Sequence, residues 1–181
     1  MSQSTFSLLL YVAGIVGVLL LFLWSTYNRT ITRLNHVRTD FSDVNIQISR
    51  KAALIQNLVD LVKQYAKHEQ ETFTQVAKAR SAADNSKTAA DSAKAENMLT
   101  QTLRSLFMVV ENYPQLQASN NYKDLREDIL KTEDLIAKYR EEYNESVRRY
   151  NTLIQTFPNL FAAKLFAFSE AQLFQTSDST K

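Results

Sequence analysis

The chain of 181 residues has no cysteine, two glycines and two prolines. Without cysteine it has no disulfide, no thiolate metal ligand, no thiol nucleophile and no lipid-attachment cysteine. Both glycines, Gly14 and Gly17, lie near the amino terminus, so residues 18–181 contain none. Tight β-hairpin turns and phosphate-binding loops depend on glycine, so a β-rich fold and a P-loop are both disfavoured.

Charge is absent from the side chains of the first 28 residues, where a long apolar run stands instead. Phe6–Leu23 is interrupted by one serine only, and its length can cross most of a hydrocarbon core of about 30 Å. Trp24 and Tyr27 follow where the membrane interface would lie, and Arg29 follows in the head-group region. The sequence therefore predicts an amino-terminal transmembrane anchor over residues 1–28, in contact with membrane lipid.

The distribution of basic residues indicates the side of the membrane. Residues 1–7 contain no lysine or arginine, whereas Arg29, Arg33 and Arg38 follow the apolar run. Positive residues concentrate on the cytoplasmic side, which favours a cytoplasmic position for the rest of the chain at the inner membrane. No basic n-region and no small-x-small cleavage site is present, so we do not expect a cleaved signal peptide.

Net charge excludes one class of partner. Lysine and arginine number 21 against 19 aspartate and glutamate residues, a formal net charge of +2 with the signs interspersed. A nucleic-acid-binding domain would show a basic face, so no nucleic-acid partner is predicted.

Apolar residues recur every three to four positions through most of residues 29–174, except over the alanine-rich residues 81–95, which predicts an all-α fold. The first long helix is expected to continue from the anchor as far as a turn at Asp84-Asn85-Ser86, whose side chains favour capping and bending. Its heptad stripe has two rows: Leu34, Phe41, Ile48, Ile55 and Val62 in one, and Val37, Val44, Leu58 and Tyr65 in the other.

Two further long helices and a short one complete the predicted bundle. The second ends before Pro114, a polar connection covers residues 115–121, and the third ends at Pro158. A short carboxyl-terminal helix is expected over residues 159–174, and residues 175–181 are expected to be a flexible tail. The prediction is thus an anchor, residues 1–28, and an elongated antiparallel helical bundle, residues 29–174.

Helix lengths give the expected arrangement of these parts. A helix over residues 30–84 would extend about 80 Å and the second would return only about half of that distance. The phenylalanine-rich end, Asn159–Phe174, would then lie far from the bilayer. The apolar stripe from Leu34 to Ile48 would lack a partner in its own chain unless residues 115–121 reach down to it. An unpartnered stripe predicts self-association or a second protein.

Several motifs closely resemble the LemA family. They are Tyr27-Asn28, residues 55–69 (IQNLVDLVKQYAKHE), residues 109–116 (VVENYPQL), residues 132–137 (TEDLIA), Tyr143-Asn144 and residues 150–162 (YNTLIQTFPNLFA). The resemblance covers essentially the whole chain in order. Gln56 and Phe41 depart from it, since the family usually has proline and tryptophan at these two positions.

The resemblance implies a bacterial protein with one amino-terminal span and an elongated helical bundle, but no settled chemistry. Some members begin with a lipoprotein signal, which implies a bundle outside the cytoplasm and keeps the side of the membrane open. Some relatives occur beside membrane metalloproteases or in organelle-forming membrane systems. These associations imply a scaffold or adaptor role.

The sequence contains few residues that could form a catalytic or metal-binding site. His68-Glu69-Gln70-Glu71 is the one metal-like cluster, but it lacks the second histidine of the zinc-protease helix motif. No serine lies on a glycine-flanked elbow, and the neighbouring carboxylates point in different directions around a helix. No catalytic, cofactor-binding or metal site is therefore predicted; a metal-dependent enzyme or regulator centred on His68 is the alternative.

Two tyrosine–asparagine pairs and the phenylalanine-rich end are the candidate partner-binding residues. Tyr143 and Tyr150 are seven residues apart, as are Asn144 and Asn151, so each pair shares one helix face. A buried asparagine can fix the register of a bundle, which is the structural interpretation, while a recognition strip for a partner is the functional one. Phe161 and Phe168 belong to an end that caps the bundle, docks another protein or lies on the membrane surface. For a surface helix Lys164 alone would supply the basic face.

The favoured function is a non-enzymatic, membrane-anchored scaffold or adaptor. It would bind another membrane protein, assemble as a homo-oligomer, or do both.

Overall fold

A computed structural model describes residues 3–66 and 68–175, with side chains described from Ser7 onward. Every regular element in these residues is a helix, which confirms the predicted all-α class. The six helices are α1 (Gln3–Val62), α2 (Gln70–Asp84), α3 (Ala89–Glu111), α4 (Pro114–Ala118), α5 (Asn120–Gln155) and α6 (Asn159–Leu165). Of the predicted tail, residues 175–181, only Gln175 lies within the described residues.

Helix α1 continues from the apolar run into the charged part of the chain without a break. It has 60 residues, which correspond to about 90 Å at the helical rise. No proline interrupts it, and its two glycines lie within the apolar run. Its amino-terminal part is long and apolar enough to cross a membrane and is not covered by the rest of the chain.

The chain divides into two compact units. The first unit consists of Met1–Arg38 and Ser146–Ala171, and the second of Thr39–Glu145 and Gln172–Lys181. The buried apolar side chains of the first unit come from α1, the end of α5 and α6: Val37, Val147, Tyr150, Leu153, Ile154, Ala162 and Ala163.

The heptad stripe of α1 forms much of the core of the second unit. Val44, Ile48, Ile55, Leu58 and Val62 are almost completely buried. Leu99, Leu106 and Val110 of α3, Leu116 of α4, and Ile129 and Ile136 of α5 complete this core. Burial of Val37, Val44 and Ile48 shows that the prediction of an unpartnered stripe from Leu34 to Ile48 was wrong. The stripe therefore gives no support for self-association.

The first long helix ends earlier than predicted, at Val62 instead of Asp84. Ala66, just after the end of α1, is buried. Packing therefore stabilises a break in the helix at a point where the sequence has neither proline nor glycine. Helix α2 then ends at the predicted turn, where Asn85 is its C-cap. Thr88 caps α3, since its side-chain oxygen accepts a hydrogen bond from the amide of Asp91 at 3.1 Å.

Pro114 begins a helix in addition to ending one. It occupies the first turn of α4, where a missing amide hydrogen costs nothing. The predicted polar connection, residues 115–121, therefore contains the last four residues of α4 and the start of α5. Ser119 caps that start, because its hydroxyl accepts from the amide of Tyr122 at 3.3 Å.

The final helix is shorter than predicted. Helix α6 ends at Leu165, and the chain beyond Ala167 has no helical structure as far as Gln175. Ala167 adopts the left-handed conformation, with φ of 56°. The amide of Phe168 donates to Ala163 O at 2.9 Å and that of Ala167 to Lys164 O at 3.3 Å, the pair of bonds of a Schellman motif. These bonds satisfy the last carbonyls of α6 and direct the chain away as the C-terminal segment, residues 167–175.

Helix α6 lies against α1 directly after the apolar run. Thr26 Oγ1 donates to Asn159 Oδ1 at 3.5 Å, and the ring of Tyr27 lies 4.9 Å from that of Phe166 and 5.8 Å from that of Phe168. The prediction of a phenylalanine-rich end far from the bilayer was therefore wrong. It rested on a first helix that was 22 residues too long, whereas α1 ends at Val62 and the 36 residues of α5 bring the chain back.

Candidate functional site: clamps on the C-terminal segment

Asn151 and Tyr150 of α5 hold the C-terminal segment within the first unit. The Nδ2 of Asn151 donates to Ala171 O at 2.9 Å, and its Oδ1 accepts from Ala171 N at 2.9 Å. One side-chain amide thus satisfies both polar groups of one backbone residue. The hydroxyl of Tyr150 donates to Ser169 O at 2.9 Å.

Asn144 and Tyr143 form a second clamp of the same design within the second unit. The Nδ2 of Asn144 donates to Phe174 O at 3.2 Å, and its Oδ1 accepts from Phe174 N at 2.8 Å. The hydroxyl of Tyr143 donates to Gln172 O at 2.7 Å. We call the two arrangements the Asn151 clamp and the Asn144 clamp.

Both tyrosine rings belong to the packed interior. Burial raises the pKa of the Tyr143 phenol above its ordinary value of about 10. Burial also raises the pKa of Tyr150, and the nearby positive charge of Arg38 opposes part of that rise. Both hydroxyls therefore keep their protons at neutral pH and act as donors to the segment.

Each clamp binds the C-terminal segment through the backbone atoms of the segment and not through its side chains. A side-chain amide carries a donor and an acceptor side by side, which matches the N–H and C=O of one peptide residue. Amide and carbonyl groups of a segment outside helices or strands would otherwise need water as their partner. The arrangement binds non-helical chain.

Sequence reasoning identified these four residues but not what they bind. It expected the asparagines to face other helices in a bundle seam or a partner. Instead, the structure brings Tyr150 and Asn151 to Ser169–Ala171 and brings Tyr143 and Asn144 to residues 172–174. Binding of a second molecule at these residues stays a prediction.

Phe161 and Phe168, the other candidates, have different surroundings. Phe168 contacts the rings of Tyr27 and Phe166 and is half-buried. Phe161 is 66% exposed on the outer side of α6, where its ring meets the edge of Phe157 at 5.9 Å. Of these two side chains, only Phe161 presents its ring to the surroundings of the chain.

A buried ionic network in the second unit went unpredicted. Lys51 is 0% exposed, and its Nζ lies 3.1 Å from Glu96 Oε1 and 3.1 Å from Glu133 Oε1. Its third contact is the hydroxyl of Thr100 at 2.7 Å. The sequence contains a signal for this network. Position 51 belongs to the second row of the heptad stripe, between Val44 and Leu58, but holds a lysine instead of an apolar residue. A lysine there must be paired to be buried.

His68, the centre of the metal-dependent alternative, lies exposed between α1 and α2. Within residues 3–66 and 68–175 no group of three or more histidine or acidic side chains could hold a metal ion. The described structure thus offers no ligand set around His68 for that chemistry.

A groove of about 560 Å³ lies where α3, α4 and α5 meet in the second unit. Phe107 contacts the ring of Tyr122 edge-on at 6.5 Å, and the guanidinium of Arg126 lies over Phe107 at 6.0 Å. The charged residues of the lining, Glu111, Glu127, Lys123 and Arg126, balance one another. The groove therefore has no electrostatic preference for an anionic or a cationic ligand.

Comparison with known proteins identifies relatives of this helical chain. The sequence profile described as the LemA family matches residues 40–181. The magnetosome protein MamQ of Magnetospirillum gryphiswaldense is 25% identical over 174 residues, covering 82% of this chain and 64% of MamQ. Magnetosome protein MamQ 2 of Paramagnetospirillum magneticum is 26% identical over 175 residues with the same coverage. The chain thus spans less than two thirds of the length of these relatives.

Proposed function

The chain belongs to the LemA family, and on that premise we propose that this membrane-associated protein is a non-enzymatic scaffold or adaptor. It holds other proteins, or further copies of itself, at a bacterial membrane. Its anchor is the apolar part of α1, and its contacts to partners are hydrogen-bonded and apolar, with no covalent step.

The observation that carries this proposal is the pair of clamps on α5. Their hydrogen bonds reach only backbone atoms of the C-terminal segment. A site of this kind accepts any chain of the same conformation, so the segment of a second copy can replace the chain's own. Exchange of an identical element between copies is a low-cost route to self-association, because it needs no new surface.

The unbroken α1 supports an anchoring role. A helix that continues from the apolar run to Val62 connects the lipid-embedded part to the residues that pack in the second unit. Its heptad stripe is satisfied within the chain, so partner contacts fall to the clamps.

The inner membrane with a cytoplasmic bundle is part of the same proposal. Arg29, Arg33 and Arg38 support that side through the positive-inside tendency. A single cysteine at Ser86, beside the C-cap of α2 in this cysteine-free chain, tests the side. Protection from a membrane-impermeant maleimide in intact cells, lost on lysis, is the expected result; labelling without lysis would contradict it.

Self-association through the clamps is tested with two differently tagged full-length copies in one cell. Membranes are cross-linked before solubilisation, and one tag is used for purification. The Asn144→Ala/Asn151→Ala double variant is expected to recover much less of the second copy than the unchanged chain does. The control is Asn120→Ala/Asn121→Ala, two exposed asparagines at the start of α5, with expected recovery unchanged.

Two results would contradict the scaffold proposal. In one, neither a second copy nor any stoichiometric protein is recovered from membranes that contain the unchanged chain. In the other, elemental analysis of the purified protein finds stoichiometric zinc or iron, which would restore the metal-dependent alternative at His68.

A further inference from the structure

Three large apolar side chains lie exposed on α6 and two residues before it. Phe157 is 80% exposed, and Phe161 and Leu165 are each 66% exposed. Their spacing of four residues places Phe161 and Leu165 on one helix face. Ala162 and Ala163 are buried on the other side of the helix. We call Phe157, Phe161 and Leu165 the outer face of α6. A contiguous exposed patch of this kind marks a contact with a partner or with a membrane.

The position of α6 identifies the contact. Asn159, the first residue of α6, meets Thr26, and Phe166 meets Tyr27. Thr26 and Tyr27 follow the apolar run, which ends at Leu23, by three and four residues. In a helix that crosses a bilayer, this level is the boundary between hydrocarbon and head groups, where aromatic residues concentrate. Helix α6 is therefore held at the depth of the membrane interface.

Trp24 marks the same level on α1. Its side chain is 66% exposed in the first unit, one residue beyond the apolar run. A tryptophan at this position has an apolar ring for the hydrocarbon boundary and one N–H for the head groups. The outer face of α6 and Trp24 thus supply aromatic rings to one interface from two parts of the sequence.

Charge in the first unit matches a bilayer surface. Its residues include six cationic side chains and one anionic side chain, Glu170, a net charge of +5. The whole chain carries +2, so the second unit has a net charge of −3. The cationic side chains are Arg29, Arg33, Arg38, Arg148, Arg149 and Lys164. Arg29 follows the apolar run by six residues and Lys164 lies on α6, whereas Arg38 lies 15 residues beyond Leu23, about 22 Å along α1. Anionic phospholipids attract basic residues near the surface by about 1 kcal/mol each, so Arg29 and Lys164 contribute most to this attraction.

We propose that α6 is a second membrane contact of this protein. Phe157, Phe161 and Leu165 insert into the interface of the bilayer that α1 crosses, while Lys164 interacts with phosphate groups. The occupant of the outer face is thus phospholipid. The proposal depends on the anchor and on the contacts between α6 and α1, and it is independent of any partner at the clamps.

Site-directed spin labelling of the full chain tests the contact. Because the chain has no cysteine, Phe161→Cys gives a single nitroxide site, and Leu165→Cys gives a second one on the same face. Each protein is placed at one copy per nanodisc of phosphatidylglycerol and phosphatidylcholine. Power-saturation spectra then compare collisions with oxygen, which concentrates in lipid, and with a water-soluble nickel chelate. The matched control is Met108→Cys, a 60% exposed apolar side chain of the second unit.

We expect the ratio of oxygen to nickel accessibility at Phe161→Cys and Leu165→Cys to be several-fold higher than at Met108→Cys. Equal ratios at all three sites would overturn the proposal. Nickel accessibility that is high in single-copy nanodiscs and low only in vesicles crowded with the protein would also overturn it. That result would show that another copy of the chain covers the outer face. All three positions are exposed, and circular dichroism melting confirms that each labelled protein is folded.

Discussion

Asn151 uses both ends of its side-chain amide on one backbone residue, Ala171, with two hydrogen bonds of 2.9 Å. The same relationship joins Asn144 to Phe174, at 3.2 and 2.8 Å. Each asparagine therefore replaces the water that would otherwise solvate an amide and a carbonyl of non-helical chain. The C-terminal segment is held by side chains of α5.

Asn151→Ala removes two hydrogen bonds and leaves the amide and carbonyl of Ala171 without this partner. We expect the free energy of unfolding to fall by about 1–2 kcal/mol. Hydrogen exchange by mass spectrometry should show faster exchange of residues 169–174 with little change in α3. Asn121→Ala, on the exposed start of α5, is the control and should leave exchange unchanged. Slow exchange of the segment in Asn151→Ala would contradict a clamp.

Helical periodicity was enough to predict the fold class and the pairs of residues that form the clamps. The heptad stripe of α1 is buried as predicted in Ile55, Leu58 and Val62. The residues that the asparagines bind could not be predicted from the sequence. The clamps bond to backbone atoms, which every residue type has, so no sequence pattern identifies the bound residues. Ala171 and Phe174 lie 20 and 30 residues from their asparagines, and their side chains take no part in these bonds.

The errors in the predicted arrangement have one physical origin. The break between Val62 and Gln70 contains neither glycine nor proline, so local propensity favoured one continuous helix. Packing of α2 against α3 overrides that preference. The end of α6 was missed for a similar reason, because Ala167 has a high helix propensity yet adopts a left-handed conformation.

Lys51→Met should strongly destabilise the second unit. Its removal takes the shared cation from Glu96 and Glu133 and leaves buried Glu96 with the guanidinium of Arg140 at 3.8 Å. Loss of one partner from a buried ionic group costs up to about 3–5 kcal/mol. Chemical denaturation in detergent measures the change. Lys131→Met removes the exposed pair with Glu127, and no measurable change is expected. Similar small effects of both substitutions would show that water reaches Lys51.

Ala167→Gly should stabilise the chain. The left-handed conformation of Ala167, φ of 56°, costs a non-glycine residue about 1 kcal/mol. Glycine adopts it freely and is the preferred residue at this position of a Schellman motif. We expect a gain of about 0.5–1 kcal/mol, reduced by the larger entropy of glycine in the unfolded chain, and a higher Tm. Ala163→Gly, inside α6, is the control and should lower the Tm.

Alkaline pH should loosen both clamps. The pKa values of Tyr143 and Tyr150 are raised by burial, so the folded chain binds these two protons more tightly than the unfolded chain does. Their contribution to stability is then complete below the unfolded pKa of about 10 and is lost as the pH rises through the folded pKa.

The measurement is Tm between pH 8 and pH 11 for the unchanged chain and for Tyr143→Phe/Tyr150→Phe. The double variant lacks two hydrogen bonds to Gln172 O and Ser169 O and should have a lower Tm at pH 8. It should also lose less Tm as the pH rises. Parallel curves would show that the two phenols do not ionise differently in the folded and unfolded chain.

The two clamps make the C-terminal segment tolerant of changes in its side chains. Each asparagine bonds to the amide and the carbonyl of one backbone residue, Ala171 or Phe174. The side chains of Gln172 and Leu173 are exposed between the clamped residues and take no part in these bonds. Substitution of these two side chains therefore leaves the hydrogen bonds of both clamps in place.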